Sequence, residues 1–250
     1  MVVGFGGLDE DVKPEYADAF AKTNVFEAWS PDKESVLALE PDMILSWYSF
    51  FGDKKMGDVD FWHKRNVGTY MMRNSGADMR SLENEYTDIL LIGQIFDVQD
   101  KAEAIVNHMK EEVEKVLAVA NKMDKKPTVL VMEFDKKGVR VYGENTLAGD
   151  MVKAIGADLV TAPENRMSGE DLIVKNPDVI FNVYFGSSSK QEDANAAIAK
   201  LKDDPKYASL NAVKNNRVYA ISLSETYCSG TRTLDGILKL AKGIYPDFEE

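Results

Sequence analysis

The sequence predicts an α/β protein of two lobes with mainly parallel sheets, joined by one long helix. Three observations predict it. Short apolar runs bounded by Gly, Pro or Asp alternate with segments whose apolar residues recur at helical spacing, the grammar of parallel strands and crossover helices. The stretch from Gln99 to Lys122, QDKAEAIVNHMKEEVEKVLAVANK, has neither Gly nor Pro and carries one apolar stripe: Ala102, Ile105, Val106, Met109, Val113, Val116 and Leu117. A similar unit stands on either side of it, ESVLALEPDMIL from Glu34 and EDLIVKNPDVIF from Glu170. Each reads as a Glu-headed helix, a Pro-Asp corner and a strand. Such a corner is also ordinary in α/β proteins, so the repeat alone leaves both readings open.

The elements follow in order. MVVGF is a short strand ended by Gly6-Gly7, and Pro14 to Lys22 a short helix. Ser30-Pro31 starts the next helix, with Ser as N-cap and Pro in the first turn; Val36, Leu37 and Leu39 give it a buried side, and Pro41 ends it. Met43 to Trp47 is a strand, and Ser46 to Lys64 an irregular aromatic stretch, either a cleft lip or an ordinary long loop. Val67 to Met72 is a strand and Gly76 to Leu91 a helix. After Lys125-Lys126-Pro127 the grammar restarts: TVLVMEF and VRVYG are strands about a KKG turn, and TLAGDMVKAIGA is a helix with a Gly stop. Ser168 to Asp171 is a capping box for a helix that Pro177 ends. Val179 to Phe185 is a strand, Ala194 to Lys202 a helix, RVYAISL a strand and Leu234 to Ile244 a final helix. This divides the chain into α/β lobes over 1–95 and 127–250, with 96–126 as the connecting helix.

Composition excludes several function classes. The 250 residues are 44% hydrophobic and 29% charged, as in ordinary globular domains. A net charge of −12 argues against nucleic acid or an anionic membrane as the main partner. One cysteine, Cys228, forbids a disulfide within the chain, and the two histidines, His63 and His108, are too few for a zinc cage. No phosphate loop, dinucleotide fingerprint, zinc-protease helix or nucleophile elbow is present. Cys228-Ser229-Gly230 has only those histidines to activate it, so no catalytic residue, resident metal or cofactor is assigned. Binding is favoured over catalysis.

The long helix, the two Glu-headed units, VYGENTLAGDMVKAIGADLV, NAVKNNRVYAISL and the ending GTRTLDGILKLAKGIYPD together resemble the periplasmic-type substrate-binding proteins of ABC importers. The branch is the helical-backbone class that delivers ferric siderophores, haem and cobalamin. The resemblance runs over nearly the whole chain, in order. It implies two Rossmann-like lobes, with cargo held between them at the strand ends. Members usually open with a further strand and helix before the segment that here reads VVGFGG, and with an export signal. Both are missing here, which implies a trimmed chain or a rearranged first lobe.

The resemblance implies that Glu34 and Glu170 dock onto arginine pockets of a permease dimer; without it, acids in a first helical turn simply suit the macrodipole. Strand ends facing the cleft nominate Trp47, Tyr48 and Arg73 from the first lobe, and Tyr142, Asn145, Tyr184, Tyr227 and Arg232 from the second. Aromatics offer rigid surface with polar tips, and arginines offer forks for anionic oxygens. Trp47 and Tyr142 equally suit strand–helix packing, and Arg73 and Arg232 equally suit solvated surface. The implied protein is a monomeric, extracytoplasmic receptor, periplasmic or lipid-anchored. Its expected cargo is a small metal chelate of the ferric-siderophore type. Haem, with Tyr48, Tyr227 or His63 as axial candidates, cobalamin or an oxyanion remain alternatives, as does a cytosolic two-lobed enzyme acting on an anionic metabolite.

Overall fold

Through residues 1–77, Gly, Pro and Asp punctuate the chain so often that only short elements form. The computed structural model describes residues 1–8, 10–186, 190–227 and 230–249. Its first compact unit is Met1–Ala77. In order it contains β1 (Gly4–Phe5), α1 (Ala17–Phe20), β2 (Asn24–Val25), α2 (Lys33–Leu37), β3 (Met43–Ser46), α3 (Val59–His63), β4 (Gly68–Met71) and α4 (Arg73–Gly76). β1 pairs with β2, and β3 with β4, both parallel. The N-cap of α2 is Asp32 rather than the expected Ser30. The Asp32 carboxylate accepts the Ser35 N–H at 2.7 Å, and a carboxylate two residues further along suits those free N–H groups better. Val36, Ile44, Met56, Trp62 and Val67 form this unit's core. Trp62 is fully buried and donates its indole N–H to the Met56 carbonyl at 2.8 Å.

The second unit is Asp78–Glu250. It runs α5 (Leu82–Ile95), α6 (Gln99–Ala120), β5 (Thr128–Asp135), β6 (Gly138–Val141), α7 (Leu147–Ala154), β7 (Asp158–Leu159), β8 (Arg166–Met167), α8 (Gly169–Lys175), β9 (Val179–Tyr184), α9 (Gln191–Lys202), α10 (Asn211–Lys214), β10 (Val218–Ser222) and α11 (Arg232–Ile244). Its sheet has the order β10-β9-β5-β6-β8, with β7 also beside β5. β9, β10 and β7 join in parallel, whereas β5–β6 and β6–β8 are antiparallel. The KKG turn decides this. Two intervening residues are too few for a crossover, so β6 can only fold back. The Asp135 carboxylate accepts the Lys137 N–H at 2.7 Å, and Gly138 takes the positive φ of 115°.

The unbroken apolar run of β5 is explained by burial on both faces. Val129 and Val131 enter one core with residues of α5, α6, α7 and α11. Leu130 and Met132 enter the other with Leu172, Leu201 and Ala212. The Pro-Asp corner before β9 is locked by its Asp. The Asp178 carboxylate accepts the Thr128 N–H at 3.0 Å and the Thr128 hydroxyl at 2.8 Å, aligning the starts of β9 and β5.

The long helix is found where the sequence placed it, as α6, ending at Ala120. The first unit, however, ends at Ala77 and not at residue 95, and both α5 and α6 belong to the second unit. The stripe explains this: Val106, Met109, Val116 and Ala120 lie in the second unit's core with Met151 and Ile155.

An ion-pair ladder crosses β5, β6 and β8. Arg166 donates to both Asp135 oxygens at 3.0 and 2.6 Å, and Arg140 donates to Glu133 at 3.0 Å. The bonds from Arg166 hold Asp135 at about 2, against an ordinary 3.8. A carboxyl depressed in the folded state adds stability above its unfolded pKa and loses it as pH falls through the folded value. The second unit is therefore expected to lose stability between about pH 4 and pH 2. Thermal melts of Asp135→Asn across that range should show a shallower pH dependence than the parent, and an identical profile would refute the assignment.

Candidate functional site

In the first unit, Trp47, Tyr48 and Arg73 follow the carboxyl ends of the parallel pair β3–β4. The two strand ends are tied together: the Tyr48 N–H donates to the Ser75 hydroxyl at 2.7 Å, and that hydroxyl donates to the Met72 carbonyl at 2.6 Å. Tyr48 is 62% exposed, and Arg73 is also exposed. Trp47 is half-buried in an aromatic cluster, 6.3 Å from Trp29 and 5.8 Å from Phe50 between ring centroids. Trp29 was not singled out from the sequence. Its only local signal was an aromatic residue beside the Ser30-Pro31 helix start.

In the second unit, Asn145, Tyr227 and Arg232 gather around the segment leading into α5. The Arg80 N–H donates to the Asn145 carbonyl at 3.3 Å. The Arg80 guanidinium lies 5.4 Å from the Tyr227 ring centroid. Asn165 donates its side-chain N–H to the Asn145 carboxamide oxygen at 2.6 Å. The Gly230 N–H donates to Glu85 at 2.8 Å, two residues before Arg232 opens α11. Arg80, Glu85 and Asn165 escaped the sequence reading because each is far along the chain from the loop it touches, and none belongs to a motif.

Two of the nominated residues are buried. Tyr142 is a core residue, 3% exposed, and its hydroxyl donates to Glu133 at 3.1 Å. Burial, and then the Glu133 charge, hold its phenol well above its ordinary pKa, so it remains a donor. Tyr184 closes β9 and is 7% exposed. β9 is buried along its whole length, whereas Tyr142 lies one residue past β6, whose Arg140 is exposed. Cys228 and Ser229, weighed above as nucleophile candidates, lie outside the described residues.

Glu34 and Glu170 both occupy the first turn of a helix and are exposed. Their surroundings differ. Glu170 accepts from the Lys206 ammonium at 2.9 Å, which lowers its carboxyl pKa and raises that of Lys206. A Cβ at Gly169 would stand 2.6 Å from the Lys206 nitrogen and 2.7 Å from the Tyr207 hydroxyl, so a side chain there would displace the lysine tip. α8 itself starts from the predicted capping box, Ser168 and Asp171 bonding reciprocally.

A family model described as periplasmic binding protein matches residues 1–223. The chain belongs to the periplasmic binding protein family. This is a family of binding proteins, not of enzymes, and the enzyme alternative has no support in it. The family member is 26% identical over 219 residues to the uncharacterized ABC transporter substrate-binding lipoprotein YvrC of Bacillus subtilis, covering 86% of this chain and 65% of YvrC. It is 27% identical over 193 residues to the high-affinity heme uptake system protein IsdE of Staphylococcus aureus, covering 76% of this chain and 62% of IsdE. The chain thus spans less than two thirds of the length of either relative. The crystal structure of a periplasmic binding protein from Veillonella parvula matches with a TM-score of 0.88 at 31% identity, over 98% of this chain and 78% of that chain. Among the described residues no helix is long and apolar enough to cross a membrane.

Proposed function

We propose that this chain is the substrate-binding protein of an ABC importer, working outside the cytoplasm as a monomer, periplasmic or lipid-anchored. Its cargo is an iron chelate, a ferric siderophore in the first reading. The family match over residues 1–223 carries the proposal, and the printed name of YvrC supports the ABC assignment. The chemistry of the strand ends supports the cargo. Exposed Tyr48 and Arg73 in one unit, and Arg80, Tyr227 and Arg232 in the other, offer flat aromatic surface and cationic forks in a protein whose overall charge is −12. Such groups suit an anionic, aromatic-rimmed metal complex. The iron travels as cargo, and no resident cofactor is required. Haem is the second reading, favoured by the printed name of IsdE.

Glu34 and Glu170 are the proposed contacts to the permease dimer. Each carboxylate heads a helix on its own unit and is presented to solvent. Arginine forks on the partner would bind them by charge-assisted bonds.

The test is tryptophan fluorescence titration with ferric enterobactin, ferrichrome, haemin, cyanocobalamin and molybdate in parallel. Trp29 and Trp47 are expected to report binding, since they lie together beside the exposed Tyr48, whereas buried Trp62 is not. Saturable quenching by a ferric siderophore and not by haemin supports the first reading; the reverse supports the second. A flat response to both iron-chelate classes would remove the iron-chelate reading.

A further inference from the structure

We infer that Glu85 is a positioning residue for cargo, acting through Gly230 on Arg232. This rests on the cargo reading above and deepens it. Glu85 lies in the first turn of α5 and is 1% exposed. A carboxylate is costly to bury and persists where charge-assisted bonds compensate it. One such bond is the Gly230 N–H to the Glu85 carboxylate at 2.8 Å, between positions 145 residues apart.

The bond falls at a sensitive place. Gly230 has a φ of +54°, in the left-handed region, and its carbonyl accepts the Thr233 N–H at 3.2 Å. Its conformation therefore sets where α11 begins, and Arg232 is the first residue of that helix. The support of α5 is itself fixed. Ser81 caps the helix by accepting the Asn84 N–H at 3.2 Å, and Asp150 of α7 accepts the Leu82 N–H at 2.8 Å. Five residues before Glu85, Arg80 sets its guanidinium against Tyr227. The start of α5 and the residue leading into it thus contact the Tyr227 ring and the backbone two residues before Arg232, the aromatic and cationic groups offered to cargo.

Two conservative variants separate reach from charge. Glu85→Gln keeps an acceptor at the same distance, and Glu85→Asp keeps the charge but retracts the oxygen by one methylene. The probe is whichever of ferric enterobactin, ferrichrome and haemin the parent protein binds. Glu85→Gln, which keeps the reach but loses the charge assistance, is expected to bind it about threefold more weakly, and Glu85→Asp about tenfold more weakly, the size of one lost charge-assisted bond. In an Arg232→Leu background the further loss from Glu85→Asp should largely vanish, because the two residues act through one segment. A general structural defect would instead give losses that add. Additive losses, unchanged affinity in Glu85→Asp, or equal losses in both Glu85 variants overturn the inference. A parent protein that binds none of the three probes brings down the cargo reading, and this inference with it.

Discussion

Replacing both Glu34 and Glu170 by arginine is expected to abolish uptake of the iron chelate by cells, while the purified variant binds cargo as the parent does. Both side chains are exposed, so neither substitution disturbs a core. Among the described residues, the ion pair given up is Glu170 with Lys206, which is solvent-exposed, and such pairs contribute little to stability. What changes is the sign of two surface contacts. A carboxylate facing an arginine fork becomes a cation facing a cation, and two linked contacts lose more together than either loses alone. At position 170 the new arginine would also face Lys206, adding repulsion on the protein itself. Uptake of radiolabelled ferric siderophore alongside a fluorescence titration measures both quantities. Normal uptake would eliminate the docking assignment, and a parallel loss of cargo affinity would move these glutamates to a different role.

Trp62→Ala is expected to unfold the first unit and spare the second. The indole is fully buried, and its N–H satisfies the Met56 carbonyl. Removing it leaves a cavity and an unpaired carbonyl, at a cost of about 3–5 kcal/mol for the cavity alone. Among the described residues, Val36, Ile44, Met56 and Val67 share that core as buried residues, with Leu37 and four phenylalanines packed around them. Since whole domains are stable by only about 5–15 kcal/mol, so small a core cannot absorb the loss. The second unit keeps its own two cores on the faces of its sheet. Hydrogen exchange should show protection lost in β3 and β4 and retained in β5 and β9. Protection retained in β3 and β4 would show that the first unit is held by something other than this core.

The repeated corner shows how much of the site was legible. Glu34 and Glu170 were placed at helix heads by the start signals Ser30-Pro31 and Ser168–Asp171, and both glutamates are found in first turns. Tyr48 and Arg73 were placed at strand ends by the same reasoning, and they follow β3 and β4. Trp47 resolves into neither pure alternative, since it is half-buried within an aromatic cluster. For Tyr142 the packing alternative describes its place in the core, since a strand pattern tells which residues alternate but not which side chain finds a buried partner. Here Glu133, on the neighbouring strand, supplied the buried hydroxyl's partner.

The sequence by itself determined the α/β class, the order of strands and helices, the extent of the long helix and the family. The first three follow from periodicity and from Pro, Gly and Asp acting within a few residues of themselves, and the family from the resemblance of several segments in order. The tertiary structure alone decided that α6 packs into the second unit, that the first unit closes at Ala77, and that Arg80 and Glu85 meet Tyr227 and Gly230. Those outcomes depend on contacts between residues up to 145 positions apart, and no local pattern encodes which distant partner a buried side chain will find.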